Sequence, residues 1–260
     1  MTISHLSDKF LLVVLVFALG CSKPSGVKPA TPAATEPAVA YYQVDPASAG
    51  SITGKIRFTG KRPERKLIDM SSDPACVDAH QGKAYDESLV VSANGSLGNA
   101  FVYIKSGLEG KHFAIPAQPV VIDQQGCWFR PRILGIQTGQ TFQVINSDPV
   151  THNIHPMGHT NREWNHSQGP GDPPMNRKFL QPEIMIPVKC NIHSWMHAYI
   201  GVVDNPYFAV SADDGSFTIN NLAAGTYTLA VWQEKLGTQE QRITVAPHAA
   251  TSASFVFKTK

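Results

Sequence analysis

The chain has 260 residues, with 22 Lys+Arg against 20 Asp+Glu and a formal charge of +2. That near-balance, with no basic run and no aromatic–basic interleaving, argues against nucleic acid as a partner. A hydrophobic content of 42% with 16% charged residues is ordinary for a folded, strand-rich protein.

At the N-terminus, Lys9 precedes an apolar run from Phe10 to Leu19, which ends at Gly20-Cys21. The run is too short to span a bilayer and fits the core of a signal peptide, so residues 1–20 are read as one. Ala18-Leu19-Gly20-Cys21 resembles the lipobox of bacterial lipoproteins, with the usual order of Leu and Ala exchanged. The resemblance implies cleavage before Cys21, lipid attachment at Cys21 and a membrane-anchored place in the bacterial periplasm. Ser22, where Asp would signal retention at the inner membrane, favours the outer one. An ordinary secretory signal or an uncleaved anchor are the alternatives, and all three export the remainder. Residues 22–48 are rich in Pro, Ala, Thr and Ser. Residues 21–48 therefore read as the lipidated cysteine and a flexible tether.

Beyond the tether, nearly every periodic segment has period two. Ile52, Gly54, Ile56 and Phe58 alternate with Thr53, Lys55, Arg57 and Thr59. Residues 101–105, 120–123, 141–146, 184–188, 199–203, 216–219, 226–232, 242–245 and 253–257 also read as strands, punctuated by Gly, Pro, Asn and Asp. Short helical turns are expected near 72–81 and 234–236, and 158–176 reads as one long Gly/Asn/Pro-rich loop. The chain is therefore all-β, of sandwich type.

Cys190-Asn191-Ile192-His193-Ser194-Trp195-Met196 is the most informative stretch. A thiolate, an imidazole and a thioether at spacing C-x2-H-x2-M suit copper better than other common metals. Zinc competes for Cys and His but rarely recruits Met. The missing ligand has candidates upstream, where Asn146-Ser147-Asp148 ends a strand and Pro149-Val150-Thr151-His152-Asn153-Ile154-His155 follows. His152 and His155 differ in parity, so a strand presents only one of them inward. Ile184, Ile186, Val188 and Cys190 share a parity, which points Cys190 into the protein.

N-x-D, then H-N, then C-x2-H-x2-M before a last strand resembles the cupredoxin pattern, and the short loop is similar to that of amicyanins. The resemblance implies a Greek-key β-sandwich and one type 1 copper carrying single electrons. It implies His152, Cys190 and His193 as equatorial ligands and Met196 as the axial one. It also implies that the Asn153 backbone N–H bonds to the cysteine sulfur, and that His193 lies at the edge near solvent, as the electron port. Trp195 belongs either to an apolar docking rim there or to simple packing. His155 and His197 are left as outer-sphere or alternative ligands. His159 and His166, in the loop, leave open a weaker second metal site.

Asp213-Asp214-Gly215-Ser216-Phe217-Thr218-Ile219, then Asn221-Leu222, then Ala224-Gly225-Thr226-Tyr227-Thr228-Leu229 resembles the carboxypeptidase-regulatory-like, transthyretin-like β-sandwich. Gly50-Ser51-Ile52-Thr53-Gly54-Lys55-Ile56 and Asn99-Ala100-Phe101-Val102-Tyr103 resemble its opening strands. The resemblance implies that residues 49–111 and 209–260 form that sandwich, with the cupredoxin-like copper domain, 112–208, inserted between them or sharing an interface with it. The whole chain resembles exported cupredoxin-like proteins of the methylamine-utilisation-protein-like group. That group tends to have His where this chain has Arg132.

If Cys21 is lipidated and Cys190 ligates copper, Cys76 and Cys127 remain. In an oxidising compartment the default is a disulfide between them. A disulfide to Cys190, or a second metal site around Asp73, Cys76, His80 and Cys127, are the alternatives. Expected partners are an exported cytochrome c, another copper protein or a periplasmic oxidoreductase. An electron carrier is the leading expectation. Copper delivery, favoured by His155, Met157, His159 and His166, and a structural or glycan-binding module with a degenerate site are the others. No enzymatic constellation is legible, because four ligands including Met leave no open position.

Overall fold

The computed structural model describes residues 40–80 and 82–259. The expectations for residues 1–20, for Cys21 and for most of the tether fall outside them. In chain order the elements are β1 (Gly50–Thr59), α1 (Pro74–His80), β2 (Phe101–Ser106), β3 (Val120–Gln124), β4 (Phe129–Arg130), β5 (Ile133–Gln137), β6 (Thr141–Asn146), β7 (His152–Pro156) and β8 (His166–Gln168). There follow β9 (Met175–Lys178), β10 (Glu183–Lys189), β11 (His197–Val203), β12 (Phe208–Val210), β13 (Ser216–Leu222), β14 (Gly225–Gln233), β15 (Gly237–Val245) and β16 (Ala250–Lys258). The fold is all-β.

Four sheets form two sandwiches. In the first, the sheet β13–β1–β16 faces the sheet β12–β2–β14–β15. Ile52, Ile56, Phe217, Ile219 and Phe255 meet Val102, Ile104, Leu229 and Val231 in its core. In the second, β5–β11–β10–β7–β8 faces β4–β3–β6–β9, with Ile122, Phe142 and Val144 against Ile136, Ile154, Ile186, Val188 and Ile200. The second sandwich uses only β3 to β11, so it is topologically enclosed by strands of the first.

The two sandwiches share a third core because two sheets are buried on both faces. Side chains alternate across a strand, so β2 sends Val102 and Ile104 into its own sandwich while Phe101 and Tyr103 face the other. The opposing surface is cut to fit. Gly135 and Gly201 are cross-strand partners on β5 and β11. A Cβ on Gly201 would lie 2.5 Å from the Phe101 ring, and one on Gly135 would lie 2.3 Å from Phe208. Glycine is the residue that lets these rings sit down on the sheet. Beside them, Arg132 donates from Nε and Nη2 to Glu234 Oε2 at 3.2 and 2.7 Å and from Nη1 to the His197 carbonyl at 3.3 Å. Both side chains are almost fully buried.

Three sequence expectations are corrected. The segment 158–176 is not a single loop: β8 pairs with β7, and the first two residues of β9 close its end. These strands are short and polar, with only Gln168 and Met175 buried, so they carry no period-two signal. Ile184 does not share the inward face. A register shift lies between Glu183 and Ile186, and Met185 has φ of +62°. This bulge turns Ile184 to solvent and Met185 into the shared core, and the inward parity holds from Ile186 to Cys190. β4, β5 and β12 also went unread, β4 and β12 being only two and three residues long.

Removing one partner of a buried ion pair leaves an uncompensated charge. Glu234→Ala should therefore destabilise the protein by about 3–5 kcal/mol, whereas replacing both Arg132 and Glu234 by apolar residues should be near neutral. Chemical denaturation of both variants checks this. A loss under about 1 kcal/mol for the single variant would reduce the pair to surface-like weight.

Candidate metal centre

The site is built where two turns meet at one end of the second sandwich. Between β6 and β7, Asn146 acts as a clamp. Its Nδ2 donates to the carbonyls of Val150 and Gln168 at 2.9 and 3.0 Å, and its Oδ1 accepts from Asp148 N at 3.1 Å. This fixes the N-x-D turn and delivers His152 at the first position of β7. Between β10 and β11 the loop closes on itself, with Cys190 N donating to the Met196 carbonyl at 3.1 Å and Met196 N to the His193 carbonyl at 3.0 Å. Asn153 joins the two turns. Its Oδ1 accepts from Asn191 N at 3.2 Å, and its Nδ2 donates to Asn165 Oδ1 and the His166 carbonyl.

His152, Cys190 and His193 are buried together, and their ligand atoms lie within 4.8 Å of one another. His152 Nδ1 is 3.0 Å from His193 Nδ1, and Cys190 Sγ is 3.8 Å from His193 Nδ1. Three backbone N–H groups point at the sulfur, from Asn153 (3.4 Å), Ile192 (3.4 Å) and His193 (3.3 Å). Met196 is fully buried in the same core.

The outward nitrogen of each imidazole meets a carboxylate. His152 Nε2 is 2.8 Å from Asp148 Oδ2, and His193 Nε2 is 3.0 Å from Asp73 Oδ2. Asp148 is held in turn by the N–H groups of Gly126 and Cys127, each at 2.7 Å. Asp73 caps α1, accepting on Oδ1 from Ala75 N at 3.1 Å and Cys76 N at 3.3 Å. A disulfide joins Cys76 to Cys127, so the two carboxylates are hydrogen-bonded to its two ends. When each Nε2–H donates to its carboxylate, both Nδ1 lone pairs face the thiolate.

These contacts set the charges. Burial pushes the Cys190 thiol up, but the His152 hydrogen bond and the three N–H groups outweigh it and bring it down to about 6. Burial pushes the His152 imidazole down, yet Asp148 and Cys190 hold its proton and the balance is upward. Asp148 is raised by burial and lowered further by His152 and the two N–H donors, so it ends below the ordinary carboxylate range. The His193 hydrogen bond holds Asp73 below that range as well.

The structure brings His152, not His155, to Cys190 and His193. His155 faces Asn191 and Glu163. His159, His166 and His197 are exposed, and none of them belongs to a ligand cluster among the described residues. His80 accepts from Trp128 Nε1 at 2.8 Å, and the Cys76–Cys127 disulfide removes both thiols from ligation, so neither alternative pairing of cysteines nor a metal site there is formed. The expected solvent edge at His193 is corrected. The residue is only 3% exposed, because Asp73 sits on its Nε2 and Trp195 packs on its ring at 5.2 Å between centroids. Trp195 is anchored by Nε1 donating to the Cys127 carbonyl at 3.1 Å. Sequence reasoning missed the part played by Asp73. The residue stood beside Cys76 in a predicted helical turn, and nothing local tied it to a histidine 120 residues away.

A family model described as "Polysaccharide lyase family 4, domain II" matches residues 186–253, less than half of the chain. No curated protein matches. Among solved structures, a copper-containing nitrite reductase from Thermus scotoductus is 22% identical over 40% of this chain, with a TM-score of 0.32, and the chain spans 25% of that enzyme's length. A purple cupredoxin from Nitrosopumilus maritimus is 21% identical over 32% of this chain and 98% of its own, with a TM-score of 0.28. Amicyanin from Paracoccus versutus is 18% identical over 39% of this chain and 96% of its own, with a TM-score of 0.30.

With its folded value below the ~8.5 of a free thiol, Cys190 contributes stability fully above that pH and loses it as pH falls through about 6. In the metal-free protein the ultraviolet thiolate band should accordingly grow in around pH 6, and His152→Ala should move its midpoint upward. A parent midpoint at or above that of a free thiol would remove His152 and the N–H ring as its cause.

Proposed function

We propose that this chain is an exported, membrane-tethered copper protein that carries single electrons, holding one type 1 copper at His152, Cys190, His193 and Met196. The observation that carries the reading is the convergence of two imidazole Nδ1 atoms and a thiolate within 4.8 Å in a buried space. With both Nε2 atoms directed at carboxylates, three electron-rich atoms face one point, an arrangement that a cation would satisfy. Two imidazoles and one thiolate, with the Met196 thioether on the same loop and in the same core, fit copper as a donor set. Bound there, copper would supply one-electron redox chemistry.

The chain's own residues do the rest. Asn153 N–H, Ile192 N–H and His193 N–H steady the sulfur, and the two sandwich layers around it exclude water. The Asn146 clamp and the closed Cys190–Met196 loop hold the donors against rearrangement, which keeps the cost of changing oxidation state low. Cys21 and the 22–48 segment would tether the protein to a periplasmic membrane, within reach of an exported cytochrome c, copper protein or oxidoreductase. No catalytic turnover is proposed, since a fourth donor from Met196 closes the site. Copper delivery draws no support from His155, His159 and His166, which stand away from the cluster.

The test is the visible and EPR spectrum of the protein with one equivalent of Cu(II). An intense thiolate-to-copper band with small hyperfine splitting is expected. Cys190→Ser should abolish the band while leaving the β-sheet circular dichroism intact. Met196→Gln should keep copper and lower its potential. A parent that gives only a pale, ordinary Cu(II) spectrum would overturn the reading.

A further inference from the structure

We infer that Asp73 and Asp148 are positioning residues for the two imidazoles, and that their paired carboxylates bias the site toward the more highly charged state of its metal. The inference rests on the copper reading above and concerns residues outside the ligand set.

Three observations carry it. First, the arrangement is symmetric in chemistry though not in sequence. His152 Nε2 meets Asp148 at 2.8 Å and His193 Nε2 meets Asp73 at 3.0 Å. A carboxylate on the far nitrogen fixes the tautomer and ring plane and makes the ligating nitrogen a stronger donor. Second, both carboxylates are themselves held. Asp148 takes backbone N–H groups from Gly126 and Cys127, and Asp73 takes those of Ala75 and Cys76.

Third, the two supports are bolted together by the Cys76–Cys127 disulfide. Asp73 lies in the segment between β1 and β2, two strands of the first sandwich, yet it reaches a residue of the second. Met70, Cys76 and Ala84 anchor that segment in the second sandwich's core. The segment thus carries a negative charge to His193, where an exposed ring edge would otherwise meet water.

The charge count gives the direction. A divalent metal with one thiolate leaves one net positive charge, and two carboxylates within a ring's width reverse it. A monovalent metal in the same place leaves the cluster more negative still. Asp148 is almost fully buried and acts with little screening, Asp73 is 31% exposed and acts with more, and both favour Cu(II) over Cu(I) and pull the reduction potential down.

Asp73→Asn separates charge from shape. Asn caps a helix as well as Asp does and still offers an oxygen to Nε2–H. In the copper-loaded protein it should keep the spectrum and lose roughly 10- to 100-fold in Cu(II) retention against a chelator. Each tenfold loss of Cu(II) relative to Cu(I) is a rise of about 59 mV in potential for one electron. Asp73→Ala should raise the potential too and also broaden the EPR signal, because the His193 ring loses its anchor. A blue Asp73→Asn protein with unchanged potential and retention would overturn the inference, leaving Asp73 as a helix cap. A parent with no thiolate-to-copper band overturns the copper reading itself, and this inference with it, before any variant is compared.

Discussion

Everything at the functional end of this molecule depends on one electrostatic constraint. A thiolate and two imidazole lone pairs cannot be buried against each other without a positive charge among them. A proton shared with His152 is the minimum that meets the constraint, and the lowered Cys190 and raised His152 show the protein already leaning that way. A metal ion meets it more completely. The N–H ring around Cys190 Sγ, the Asn146 clamp and the Asn153 bridge hold the three atoms in place.

The second sandwich alone does not finish the site. Its ligand loops end at the surface of a domain whose other side is fused, through Phe101, Phe208 and the paired glycines Gly135 and Gly201, to the first sandwich. The segment between β1 and β2 joins the first sandwich to the ligand end of the second. It passes over the ligand end, enters the core with Met70 and Cys76, and is locked by the bond to Cys127. The buried Arg132–Glu234 pair crosses the same junction. Arg132, read from the sequence only as a departure from a pattern, is thus a junction residue that ties the strand after β4 to the turn after β14.

The parts of this architecture that were legible in the sequence are those with local periodicity or local spacing. Ile52 to Phe58 and Ile186 to Val188 announced strands because one face is buried and the other is not. C-x2-H-x2-M announced a donor set because three soft or borderline ligands fall within seven residues. What escaped was non-local or unpatterned. The bulge at Met185 shifts one residue and leaves no composition signal. β8 and β9 are edge strands in polar sequence, with single buried residues at Gln168 and Met175. Asp73 sits 120 residues from the histidine it bonds, and no period or motif links two such positions. The exposed His193 edge failed as an expectation for the same reason: the segment that covers it lies far upstream.

That cover changes what approaches the site. His193 is 3% exposed, while the Asp73 side chain above it is 31% exposed. Trp195, packed on the other side of the ring, is only partly buried. Anything coming to this end of the molecule therefore meets a carboxylate and an indole before it meets an imidazole. An electron carrier with a bare ring edge can dock on a flat apolar rim. Here Asp73 and Trp195 cover His193, and Ile192 stands exposed beside them. The carboxylate bonded to His193 is also the charge that stands above it, so a single substitution at Asp73 would change both the contact to the ring and the charge at the surface.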